Sequence, residues 1–404
     1  MMTAALFLFV LALATGVYVA SALVLAWSRR ADCARPPRDF TPPVSIVKPL
    51  SGLDEQLEEN LESFYRLDYP VYEVVFSFAR RDDPAFPVAQ RVADRNSQVS
   101  TVFVVDPAEP AANSKVNRLA AGVRRARHRY LLFSDGNVRV RPDFLRRAIS
   151  PFRDPVVGLV SNLFRGSWPE SVASRLECLY LNGTLQPAIA AISRMLSRPC
   201  VVGKSILISR AAFDVIGGFV PIRSFLAEDY LLGLAVRGAG YRVVLSADTL
   251  DTTEISKTPD AAWSRHRRWA MIRQRVAGPA YAAELLSSPL PWFAGALVFS
   301  FDRPAVIVAA GALLALRYLA EVLVTRDGGR AIPARDLSLL PVRDVALAFL
   351  FWAGLFGRTT SWRGRRVLLG PRTLIESEVS DRPRLLWGQT PFHRTSVPAS
   401  SSLQ

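Results

Sequence analysis

Tyr130-Leu131-Leu132-Phe133-Ser134-Asp135-Gly136-Asn137 is the stretch whose reading decides the fold. Four apolar or aromatic residues run almost directly into an acid and a glycine. A continuous apolar run of this length marks a buried strand, as in a parallel sheet. The acid then falls at the carboxyl end of the strand, where open α/β sheets bind their ligands. An Asp there can hold a divalent cation that bridges a diphosphate. It can equally begin a turn ahead of Gly136. The stretch alone leaves both readings open.

Strand and helix alternate on both sides of it. Upstream, Val44–Val47 reads as a strand ending at Lys48-Pro49-Leu50. Leu57, Leu61 and Phe64 then fall at helical spacing, with Asp54 as the N-cap. Glu73–Phe78 and Val99–Val105 are further strands. A helix from Pro84 to about Arg95, capped by Asp83, lies between them. Ser114–Ala126 is helical and leads into the opening stretch. Downstream, Val156–Phe164, Ser205–Ser209 and Tyr241–Leu245 are strands. Residues 169–197 form a long helical region, interfacial or core, and Ala261–Gln274 is a basic helix. Alternation with short connections is the pattern of a doubly wound, mainly parallel α/β sheet.

Half of the 404 residues are hydrophobic although 21% are charged, and mean hydropathy is positive, at +0.18. A chain part soluble and part membrane-embedded accounts for both. Ala4–Trp27 carries no charge and is long enough to span a bilayer. It is too long for a signal peptide and has no basic n-region before it. Arg29, Arg30, Arg35 and Arg38 follow, so the positive-inside rule puts the soluble part in the cytoplasm. Ala305–Val324 is a second candidate span. Leu290–Phe301 is marginal, and Val345–Phe356 is a short third segment, tilted or re-entrant. The expected division is an anchor (1–30), a catalytic domain (40–280), a membrane region of two or three helices (288–360) and a tail (361–404). The expected location is a bacterial inner membrane.

The net charge of +15 suits a nucleic acid, an anionic membrane or a phosphorylated substrate. With no nucleic-acid module signature present, a nucleic-acid partner is not expected. Three widely spaced cysteines point to a reducing compartment. Asn182-Gly183-Thr184 matches a glycosylation sequon, which a cytoplasmic domain would leave unused.

Three acids stand at element ends: Asp83, Asp135 and Asp229. A parallel sheet gathers strand ends on one edge, so Asp83 and Asp135 are expected close together. Asp135 suits a divalent cation, Asp83 a nucleotide base or ribose, and Asp229 a general base for an attacking hydroxyl. The adjacent Glu228 would raise the pKa of Asp229 by like-charge repulsion. Each acid taken alone is equally a cap or a surface residue. Arg265 and Arg268 are three apart and share a helix face, which suits a departing diphosphate, while Trp269 suits a sugar or an apolar acceptor. The same helix can instead lie at a membrane interface with Trp269 as its anchor. Lys115 and Lys48 are assigned to the donor side. Gly203-Lys204-Ser205 looks like the tail of a P-loop, but the glycine-rich loop is missing and an ATPase reading is rejected.

Taken in order, these motifs resemble the ceramide glucosyltransferase family, glycosyltransferase family 21, whose fold is GT-A. The resemblance rests on Val44-Ser45-Ile46-Val47-Lys48-Pro49-Leu50, Asn60-Leu61-Glu62-Ser63-Phe64 and Leu67-Asp68-Tyr69-Pro70. It continues through Asp82-Asp83-Pro84-Ala85, the Asn113/Lys115/Asn117 spacing, Asp135-Gly136-Asn137, Ala227-Glu228-Asp229-Tyr230 and Arg265-x-x-Arg268-Trp269. A weaker echo lies at Thr360-Ser361-Trp362-Arg363-Gly364-Arg365. The resemblance implies that Asp83 and Asp135 bind a UDP-hexose and its metal, Mg2+ or Mn2+. It implies Asp229 as the catalytic base, Arg265–Trp269 completing the site, and inverting transfer to the hydroxyl of a ceramide-like membrane lipid. Gly136-Asn137 departs from the family's usual Ser-Gly or Ser-Asp, leaving one carboxylate for the metal in this segment. A related branch acts on hopanoid lipids. Processive polysaccharide synthases share the domain, and a non-catalytic membrane scaffold is the rival from outside the enzymes.

Overall fold

A computed structural model describes residues 2–33, 40–198, 200–329, 331–362 and 365–378. Residues 34–39, with Arg35 and Arg38, Arg363-Gly364 of the weaker motif and residues 379–404 lie outside the described residues. After the apolar helix α1 (Met2–Cys33) come β1 (Val44–Pro49), α2 (Leu57–Ser63), β2 (Tyr72–Phe78), α3 (Ala85–Arg95), β3 (Ser100–Val105), α4 (Ser114–Arg125) and β4 (Tyr130–Phe133). The second half adds β5 (Val138–Arg139), α5 (Phe144–Ile149), β6 (Val157–Ser167), α6 (Val172–Tyr180), α7 (Gln186–Met195), β7 (Ile206–Ser209), α8 (Arg210–Val215), α9 (Glu228–Gly238), β8 (Arg242–Thr253) and α10 (Pro259–Ala277).

The strands form one eight-stranded sheet in the order β3-β2-β1-β4-β7-β6-β8-β5. β1, at its heart, is buried along its whole length and parallel to both β2 and β4. The pairs β2/β3 and β6/β8 are also parallel. The expected mainly parallel sheet is present, with two departures: β7, antiparallel to both β4 and β6, and the edge strand β5, antiparallel to β8. The direction of β7 has a consequence for the site. The residues before it, Gly203 and Lys204, are delivered to the edge where β4 ends.

Two local expectations change. Asp54 does not cap α2: Gln56 holds the N-cap position in the left-handed region (φ 49°) with no side-chain cap bond. Residues 169–197 are two helices joined by a π-type turn at Leu181–Leu185. Pro187, in the first turn of α7, lacks the N–H that a continuous helix needs there. Asn182 in that turn bonds both main-chain groups of Gly166, so the sequon asparagine serves the fold.

Beyond α10 lie α11 (Leu290–Val298), α12 (Pro304–Asp327) and α13 (Leu339–Phe356). Among the described residues three helices, α1, α12 and α13, are long and apolar enough to cross a membrane. α1 and α12 run parallel: Thr15 meets Leu313 and Arg29 meets Val324. The nine-residue α11 packs on the start of α1, with Phe299 just beyond its end stacked on Phe7 at 5.4 Å. α13 is longer than expected and returns to the soluble part at both ends. Asp336 just before it pairs with Arg175 of α6, and Gly354 and Gly357 close on Ala270 and Met271 of α10. β9 (Thr359–Trp362), β10 (Arg365–Leu369) and β11 (Ile375–Glu378) then form a small antiparallel sheet where a tail was expected. Val367, Leu369 and Ile375 pack on Leu226 and Met271. Thr373 accepts from the N–H groups of Leu226 and Ala227, bracing the segment that opens α9.

Candidate active site

Asp135 follows β4 at the sheet's carboxyl edge, with three lysines around it. Asn113 caps α4, its Oδ1 accepting from the N–H groups of Lys115 (3.0 Å) and Val116 (3.2 Å). That cap directs the first turn of α4 so that Lys115 Nζ lies 2.8 Å from Asp135 Oδ1 and 3.3 Å from Glu228 Oε1. Lys204 Nζ lies 3.2 Å from Asp135 Oδ2 and donates to Asn137 Oδ1 at 2.7 Å. Lys48 is fully buried; its Nζ donates to the main-chain oxygen of Asp135 at 3.0 Å and sits 3.6 Å from the centre of the Phe64 ring.

The charges settle accordingly. Burial pulls the other way, but Lys115 and Lys204 hold the Asp135 carboxyl well below the usual carboxylate range. Burial lowers Lys48 to about 7, partly offset by Asp135 and Asp54. Asp54 is the fourth member. Open to solvent on one side, it is hemmed in enough by protein that desolvation raises its pKa against the pull of Lys204. A side chain at position 136 would strike its carboxylate.

Glu228 and Asp229 open α9 beside this group. Asn113 Nδ2 donates to Glu228 Oε2 at 3.2 Å. Asp229 accepts from the N–H groups of Gly203 and Tyr230, both at 2.8 Å. A Cβ at Gly203 would stand 2.8 Å from Lys115 Nζ and 3.4 Å from Asp229 Oδ2, so a side chain there would push Lys115 aside. Burial, reinforced by Asp229 and opposed by Lys115, pushes Glu228 up to about 7, and burial likewise raises Asp229.

Asp83 stands apart. β1 separates the strands that lead to Asp83 and Asp135, and among the described residues no hydrogen bond or ion pair joins the two acids. Asp83 Oδ1 accepts from Gly52 N and Ala85 N, both at 2.9 Å, so it ties the start of α3, whose N-cap position is held by Pro84, to the loop after β1. It lines a cleft of about 460 Å³ with Ser114, Arg118 and Trp362. α4 borders both regions, with Lys115 on the Asp135 side and Arg118 on the Asp83 side.

The basic helix α10 is also differently engaged than its spacing suggests. Arg265 Nη1 lies 3.0 Å from Glu254 and 3.0 Å from Glu177, two carboxylates with no exposure, and its guanidinium sits 4.6 Å from the Trp269 ring centre. Lys257 also pairs with Glu254. Arg268 donates to the Ser361 carbonyl at 3.0 Å. The two arginines therefore hold separate partners. Trp269 is half-buried against the core, and its ring meets that of His266 edge-on at 5.4 Å.

Residues the sequence reading passed over are Lys204, Asp54, Glu177 and Glu254. Lys204 carried a signal, the Gly-Lys pair dismissed with the P-loop. The donor set for a metal is narrow. Among the described residues no group of three His, Cys, Asp or Glu side chains converges. Asp135 already faces two ammonium groups. These residues fit a divalent ion only where a diphosphate and water supply its other ligands, as Mg2+ commonly arranges with one or two carboxylates.

The family model for glycosyl transferase family 21 matches residues 7–375. Ceramide glucosyltransferase 1 of Caenorhabditis elegans is 26% identical over 238 residues, covering 59% of this chain and 51% of that protein. Ceramide glucosyltransferase 3 of the same organism is 25% identical over 334 residues, covering 80% and 72%. The chain thus spans about half the length of the first of these relatives. Among solved structures, the mannosyltransferase PcManGT from Pyrobaculum calidifontis, in complex with GDP-Man and Mn2+, superposes with a TM-score of 0.48 at 17% identity, covering 87% of this chain and 99% of that one. With the family matched over nearly the whole of its length, the chain belongs to glycosyl transferase family 21.

Proposed function

We propose that this chain is an inverting glycosyltransferase that moves a hexose from a UDP-sugar to the hydroxyl of ceramide or a similar membrane lipid, with residues 40–280 as its catalytic domain. The family match over residues 7–375 carries this reading. The convergence of Lys115, Lys204, Glu228 and Asp229 on Asp135 supports it.

In this reading the nucleoside end of the donor lies in the cleft beside Asp83 and Arg118, and the diphosphate lies toward Lys115 and Lys204. Those ammonium groups face the charge that develops on the leaving phosphate. A Mg2+ or Mn2+ ion, held by Asp135, would neutralise further diphosphate charge. Lys48 is fully buried and acts through the main chain of Asp135, which it holds in place. Asp229 takes the proton of the acceptor hydroxyl. The acceptor oxygen bonds to the anomeric carbon as the bond from that carbon to the phosphate oxygen breaks, and its electron pair leaves with UDP. In-line attack inverts the centre, through a transition state of oxocarbenium character. Arg265 positions the end of β8 and the start of α10 through Glu254. Trp269 offers an apolar wall on the membrane-facing side, with α13 as its neighbour. The expected location is the cytoplasmic face of a membrane.

Asp229→Asn keeps the shape of the site and removes the base. A loss of about 10²–10⁴-fold in kcat is expected for a general base, measured as lipid glycosylation and UDP release by folded variant. Near-normal turnover would remove Asp229 from this role.

A further inference from the structure

A second cleft, of about 910 Å³, opens away from the residues described above. Six arginines line it: Arg147, Arg153, Arg194, Arg198, Arg237 and Arg242. Three acids, Asp32, Asp154 and Asp248, stand against them. Those acids are already engaged. Arg242 pairs with Asp154 at 2.5 Å. Asp248 is held by Arg141 at 2.6 Å, from outside the cleft. Asp32 accepts from Ala247 N at 2.6 Å. Among the described residues, no carboxylate lies within ion-pair distance of Arg153, Arg198 or Arg237, and all three are exposed. The cleft therefore presents an excess of positive charge in planar guanidinium form, the geometry that takes phosphate oxygens in pairs.

Its place in the fold narrows the ligand. Asp32 lies in the last turn of α1, whose apolar run ends at Trp27 and is followed by Arg29 and Arg30. Arg194 reaches to within 6.0 Å of the Trp27 ring. A tryptophan beside arginines at the end of an apolar helix marks headgroup level. The inner wall is β8, through Val243 and Leu245, so the cleft has an apolar side beneath its cationic rim. Anionic lipids supply the matching negative charge at that depth.

We propose that this cleft binds the phosphate headgroup of an anionic phospholipid, at a site separate from the one that handles the sugar donor. Such a site fixes the height of the catalytic part against the membrane and does not depend on the donor chemistry. The test uses the full chain in neutral detergent, with bound lipid counted by native mass spectrometry. Phosphatidylglycerol is expected to bind in preference to phosphatidylcholine. The double variant Arg153→Gln/Arg198→Gln is expected to weaken that binding about 30-fold, since each surface cation near an anionic membrane contributes about fivefold. UDP binding by the variant should be unchanged, which reports an intact fold. Equal affinity for the two lipids, or a variant that keeps the preference, would overturn the proposal. Displacement of the lipid by millimolar sn-glycerol 3-phosphate would assign the cleft to a soluble phosphate ester and overturn the lipid assignment.

Discussion

Glu228 and Asp229 are adjacent acids, and only one can be the base. Asp229 is held by two main-chain N–H groups. Glu228 faces Lys115 and Asn113 and titrates near 7. Below that pH Glu228 carries a proton and is neutral. Above it Glu228 is charged beside the Asp229 carboxylate that helps raise its pKa, so the two acids titrate as a pair. Activity is therefore expected to rise with pH through an acid limb near 7. Glu228→Gln removes the group that titrates near 7, leaves Asp229 to titrate alone and moves that limb to lower pH. The measurement is the pH profile of kcat/KM for lipid glycosylation; a limb that does not move would separate Glu228 from the base. At this scale Asp135, Lys115 and Asp229 were legible, because each ends or begins an element that patterning marks. Lys204 was not. Its partner Asp135 lies far back in the chain, and their meeting depends on the antiparallel direction of β7. Arg265 was legible as a functional type, but its partners Glu177 and Glu254 come from α6 and the end of β8.

Among the elements, α4 does most to shape the site, since its first turn carries Lys115 and its next faces Arg118 to the Asp83 cleft. Its packing is tight. A Cβ at Gly122 would stand 2.5 Å from Val47 Cγ1 of the fully buried β1. Alanine is the better helix former by about 1 kcal/mol. Overpacking a core typically costs about 1–3 kcal/mol, and a fully buried strand has little room to give. Gly122→Ala is therefore expected to lower stability by about 1–2 kcal/mol, against its helix propensity, read as a lower midpoint of thermal unfolding; a raised midpoint would show that β1 yields. The strand–helix alternation was legible because buried strands and amphipathic helices leave different periods. The cap of α2 was misread because Gln56 takes the N-cap position, and the break at 181–185 because the π-type turn keeps both flanks helical, with only Asn182-Gly183-Thr184 and Pro187 to mark it.

Across the whole molecule, the apolar helices meet around charges. Arg317 and Glu321 of α12, with Arg343 and Asp344 of α13, are all buried. Glu321 takes both arginines, Arg343 also pairs with Asp344 at 2.7 Å, and the Arg317 guanidinium lies 3.2 Å from the Tyr18 ring centre of α1. Tyr18 in turn donates to the Gly183 carbonyl in the π-type turn at 2.7 Å. One carboxylate thus ties three helices to the catalytic part. Glu321→Ala leaves two buried guanidinium groups short of a partner, and breaking a buried pair costs about 3–5 kcal/mol. A fall in the thermal midpoint of that order is expected in detergent, with lipid glycosylation falling alongside it; an unchanged midpoint would show that the network holds nothing together. The sequence by itself determined the class of the sheet, the apolar helices, the family and the acids at element ends, because burial patterning and local motifs are written in consecutive residues. Only the tertiary structure decided which charges meet. The lysines around Asp135, the glutamates on Arg265 and the arginines on Glu321 come from distant segments, and ion pairs depend on distance in space, which spacing along a chain does not encode. The opening stretch shows both sides: Tyr130–Phe133 announced a buried strand, while the partners of Asp135 were set by α4, α9 and β7.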